Sequence, residues 1–113
     1  MKVIDVYKQY FNGKCIYNDV PRKGAVVALT ATSDSGMIKY EVSVNFFPYR
    51  DPEDFAISYV AYISEVIFEA KGRRSKKREK VFLEEIKGYA KELAKKIGGE
   101  IDFEKPLRDA MYG

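Results

Sequence analysis

The sequence predicts an α+β fold of two layers. A small antiparallel sheet is built on a hairpin over 25–47, and two helices, over about 52–71 and 76–97, pack on one of its faces. Three observations carry that expectation. Ile38, Tyr40, Val42, Val44 and Phe46 alternate with Lys39, Glu41, Ser43 and Asn45, the period-2 pattern of a half-buried strand. Phe82, Ile86, Tyr89, Ala90, Leu93 and Ile97 recur at three- and four-residue steps, an apolar stripe along a helix. A length of 113 residues with 46% apolar residues suits one domain, 1–113, with a single core.

Residues 2–12 read in two ways. Val3, Val6, Tyr7 and Tyr10 share one helical face, with Asn12-Gly13 as a stop. Alternatively Asn12-Gly13 turns a hairpin and Cys15-Ile16-Tyr17 returns. The helix is the preferred reading. The β-branched run from Val26 to Thr32 then gives a strand over about 25–32, and Ser33-Asp34-Ser35-Gly36 supplies the turn into a second strand over 37–47.

For 52–71, Asp51 is placed to cap a helix, Pro52 suits its first position, and Glu53 and Asp54 favour the positive end of its dipole. Its β-branched and aromatic residues also fit two strands, but no Gly, Asn or Pro marks a turn near 61–64. The helix is therefore preferred. Ser75 caps the next helix, and Gly98-Gly99 end it through the left-handed conformation open to glycine. Gly88 inside it points to a bend or a close approach. Ile101 and Phe103 suit a short strand, with room for a helical turn after Pro106.

Charge is the most informative functional feature. Seven of the ten residues from Lys71 to Lys80 are basic and only Glu79 is acidic. Without that segment 13 of the 20 basic and 16 of the 17 acidic residues remain, so the net charge of +3 becomes −3. A cluster this dense must be solvated or neutralised by a partner, and the usual polyanion is nucleic acid. The expected function is non-catalytic binding of nucleic acid backbone through Arg73, Arg74, Lys76, Lys77, Arg78 and Lys80. No aromatic lies inside the run, so backbone contact is expected over base stacking. The alternative partner is an acidic protein surface, or a second copy of the chain, with the protein as a regulator or inhibitor.

Absences narrow the chemistry. With no His and one Cys, the chain cannot build a Ser-His or Cys-His centre or the usual zinc site. An enzyme made from it would rely on carboxylates, Lys, Tyr and Mg²⁺. No cofactor is expected otherwise. The lone Cys15 fits a reducing compartment and reads as a minor core residue. No secretory signal or bilayer-spanning run is visible, so the chain reads as a cytoplasmic protein with no membrane partner. Phe46, Phe47 and Tyr49 are expected to close a small core rather than form an exposed platform, and Tyr59 and Tyr62 are likewise expected to pack.

Two family resemblances follow. Gly72-Arg73-Arg74-Ser75-Lys76-Lys77-Arg78-Glu79-Lys80 resembles the head of the final helix in double-stranded RNA-binding domains, where a Lys-Lys-x-Ala-Lys pattern grips phosphates. Lys76, Lys77 and Lys80 match, and Glu79 stands where that family has a small residue. Tyr40-Glu41-Val42 and Phe55 fall near similar residues of that family's strands. The family's Gly-Pro-x-His loop is missing, and 24–35 makes a poor counterpart of its first helix. Asp54, followed after Val66-Ile67-Phe68 by Glu69-Ala70-Lys71, is similar to the PD-(D/E)xK nuclease signature. That resemblance implies Mg²⁺ held by Asp54 and Glu69 with Lys71 orienting water, and it requires 55–71 to be a pair of strands.

Overall fold

The computed structural model describes residues 1–47 and 60–106. Five strands and one helix follow in the order β1 (Lys2–Tyr17), β2 (Val20–Asp34), β3 (Met37–Phe47), β4 (Ala61–Lys71), α1 (Lys76–Lys96) and β5 (Glu100–Pro106). The strands form one antiparallel sheet in the spatial order β4-β3-β2-β1-β5. The first four make a meander. The helix then crosses one face of the sheet and delivers β5 to the far side of β1. The α+β class holds, with one helix among the described residues where two were expected.

The expected hairpin forms as β2 and β3, joined through Ser35 (φ 53°) and Gly36 (φ 81°). Positive φ at both central residues matches the right-handed twist of the strands it joins. The helical reading of 2–12 is corrected: these residues lie in β1, with Tyr7 opposite Leu29 and Phe11 opposite Ala25. Asn12-Gly13 neither ends a helix nor turns a hairpin. The chain runs on through a bulge between Asn12 and Cys15, and Gly13 turns to pair with Ile101 of β5. The turn lies at Asn18 (φ 53°) and Asp19 (φ 62°), residue types that tolerate the left-handed region. Buried Arg22 clasps that turn by donating to the carbonyls of Tyr17 at 2.6 Å and Val20 at 2.7 Å.

The expected helix over 52–71 is also corrected. Ala61–Lys71 is strand β4, while 48–59, including the Asp51-Pro52 start, Asp54 and Tyr59, lies outside the described residues. The register explains the misleading pattern. Val44 faces Ile63 and Val42 faces Glu65, but Tyr40 faces Phe68, with a shift between Tyr40 and Glu41. That bulge moves the inward positions from 61, 63 and 65 to 68 and 70. It breaks the period of two and scatters the apolar residues as a helix would.

The helix matches its expectation. Ser75 has an extended backbone, and its Oγ accepts from Arg78 N at 3.2 Å. Gly98 (φ 73°) follows the C-cap Ile97, and Gly99 N donates to Ala94 O at 2.8 Å. Gly99 also lets the Phe46 ring approach, since a Cβ there would sit 2.7 Å from it. At Gly88 a Cβ would meet nothing within 4 Å, so no close approach requires glycine there.

Between helix and sheet lies the core. Ala25, Val27, Leu29, Tyr40, Val42, Val44 and Phe46 meet Phe82, Ile86, Ala90 and Leu93. Tyr40 and Phe82 rings pack at 5.0 Å, and Phe82 and Phe68 at 5.5 Å. Phe46 and Phe47 are fully buried, as expected, whereas Tyr62 is 57% exposed and is not a packing residue. Cys15 is buried and its thiol donates to Ile97 O at 3.5 Å. Among the described residues, no helix is long and apolar enough to cross a membrane.

Candidate nucleic-acid interface

The basic segment leaves β4, passes the β2–β3 turn, where Gly72 N donates to Gly36 O at 3.1 Å, and enters α1. Its six candidate cations fall into three environments.

Arg74 turns inward. Its guanidinium grips Glu79 through two bonds, Nε to Oε2 at 3.0 Å and Nη2 to Oε1 at 2.5 Å, and also reaches Asp5 Oδ2 at 2.8 Å. Tyr7 donates to Glu79 Oε1 at 2.9 Å, and Tyr40 donates to Oε2 at 3.0 Å. Glu79 is only 2% exposed, so its charge rests on these partners. The Arg74 bonds, with help from both tyrosines, hold its carboxyl below the usual carboxylate range despite burial. Asp5 is lowered in the same way, chiefly by Arg74. Burial first, and the bond to Glu79 second, push the Tyr7 hydroxyl up to about 12. Burial likewise raises Tyr40.

Glu79 therefore does not present its charge at the surface among the cations around it. It points into the fold and joins β1, β3, the loop and the helix. Its position was a usable signal: Glu79 stands three residues before Phe82 and seven before Ile86, on the stripe that faces the sheet. Asp5, Tyr7 and Tyr40 carried no comparable signal, because their meeting depends on pairing across three strands.

Arg78 is half-buried, with its guanidinium 4.8 Å above the Phe68 ring. Arg73, Lys76, Lys77 and Lys80 are exposed, and none of the four forms an ion pair with the described residues. Lys76, Lys77 and Lys80 lie on the first two turns of α1, where free backbone amides add positive potential.

The nuclease residues are only partly placed. Glu69 and Lys71 sit two apart on an extended strand, on the sheet face away from the helix, and Glu69 approaches Lys39 at 3.9 Å. Asp54 lies outside the described residues, and no metal-sized cluster of acidic or Cys ligands occurs among those described. The RNA-binding resemblance keeps its lysines at a helix start. Where that family has its first helix, this chain has β2. No family model, curated protein or solved structure matches the chain.

Proposed function

We propose that the protein binds nucleic acid through its phosphate backbone, without catalysis, using Arg73, Lys76, Lys77 and Lys80, with Arg78 at the margin. The observation behind this reading is four exposed cations, free of carboxylate partners among the described residues, on a loop and helix start anchored by Arg74. Anchoring lowers the ordering entropy that binding would otherwise cost. Arg74 belongs to the anchor and not to the contact surface.

Four phosphate contacts imply that log K falls against log salt with a slope of about −3 to −4 on duplex DNA. Fluorescence anisotropy on labelled DNA and RNA, duplex and single-stranded, measures it. Arg73→Glu, Lys76→Glu and Lys77→Glu together should flatten the slope and weaken binding at every sequence. Affinity that ignores both salt and these changes refutes the reading. The same cations would then be assigned to an acidic protein surface or a second copy, which light scattering separates.

A further inference from the structure

The cationic surface continues well past the loop. At 3.6 residues per turn, Lys77, Lys80, Glu84, Lys87, Lys91 and Lys95 fall within about 80° of the helix circumference. All six are exposed. The stripe lies on the flank toward β1. Lys87 Nζ stands 5.9 Å from the Phe11 ring centroid, and Lys91 and Lys95 line a groove together with Lys14, Glu100 and Asp102, with Lys14 paired to Glu100 at 3.4 Å. The opposite flank, toward β4, is mixed: Glu85 bonds Tyr89 at 3.0 Å and Lys96 meets Glu65 at 2.9 Å.

Helix stability does not account for this asymmetry. Lys87 and Lys91, and Lys91 and Lys95, stand four apart, and each such like-charge pair costs about 0.2–0.5 kcal/mol. Lys95 is relieved by Glu92 at 3.5 Å, yet both side chains are more than half exposed and held weakly. Lys91 forms no ion pair with the described residues.

We infer that a nucleic acid lies lengthwise along the β1 flank of α1, so that Lys87, Lys91 and Lys95 extend the contact begun by the loop. This rests on the reading above and adds residues and an orientation to it. Lys77 and Lys95 are separated by about 27 Å of helix rise. That length matches about eight phosphates of one strand of a duplex.

Anisotropy with DNA and RNA duplexes of about 16 base pairs, twice the covered length, provides the test. With all seven cations engaged the wild-type slope steepens to about −6, and Lys87→Gln, Lys91→Gln and Lys95→Gln together should return it to about −3 to −4 and weaken binding about tenfold or more near 0.1 M salt. The urea midpoint should stay close to wild type, since these side chains are exposed. Binding and slope equal to wild type in this variant, while the loop variant loses both, would overturn the lengthwise orientation and leave the loop contact standing. Wild-type behaviour in both variants would remove the nucleic-acid reading itself.

Discussion

Replacing Arg74 by Met keeps much of the side chain's length while removing the guanidinium from Glu79 and Asp5. Glu79 would then hold a charge at 2% exposure with only two tyrosine hydroxyls as partners. Breaking a buried ion pair from one side costs about 3–5 kcal/mol. The Arg74 and Asp5 side chains are 31% and 37% exposed, so water relieves part of the loss and the low end, about 3 kcal/mol, is expected. With a urea m-value of about 1.5 kcal/mol/M, the midpoint should fall by about 2 M. Arg74→Lys keeps the charge but not the two-pronged grip, so its loss should be smaller. Combining Arg74→Met with Glu79→Leu should cost less than the two single changes added together, because no charge is then stranded. A loss below about 1 kcal/mol for Arg74→Met would show that the cluster is a solvated surface contact. It would also remove the argument that Arg74 is an anchor.

The pH dependence follows from the same cluster. Glu79 and Asp5 have folded-state values below 4.5 and 3.8, so their stabilisation is complete above those values and lost as pH falls through the lower, folded ones. Urea midpoints should therefore drop below about pH 4.5, and Glu79→Gln should blunt that drop. For Tyr7 the sign reverses: its contribution is complete below pH 10 and disappears as pH rises toward about 12, a dependence Tyr7→Phe should reduce. Gly88→Ala should stabilise by about 1 kcal/mol, since an added methyl meets nothing. Ser75→Ala should cost about 1 kcal/mol through loss of the bond to Arg78 N, and denaturant titration measures both.

Features governed by local rules were legible in the sequence. The 25–47 hairpin, the Ser75 cap and the Gly98-Gly99 stop depend on neighbours in the chain, and the structure has all three. Features governed by distant partners were not. β1 contains residues that suit either structure, and pairing with β2 decided the outcome. β4 was obscured by a bulge that only its alignment with β3 reveals. At the site, composition located the cations but treated the six as equivalent. Arg74 differs from Arg73 because Asp5 and Tyr7, about seventy residues earlier in the chain, wait beneath it.

The partnership between the last strand and the first has a bearing on how the molecule assembles. Lys14 pairs with Glu100 and Gly13 with Ile101, whereas the turns between β1 and β2 and between β2 and β3 join immediate neighbours. Bringing such remote stretches together carries a loop-closure entropy of about 4 kcal/mol, which the short turns largely avoid. The three-strand ribbon of β1, β2 and β3 can therefore zip early, and the helix shortens the search by carrying β5 across the face. Phe103 reaches the Phe11 ring at 5.1 Å only when that closure completes. Until then Phe11 lacks this neighbour, which makes the late-closing edge the exposed flank of a newly made chain.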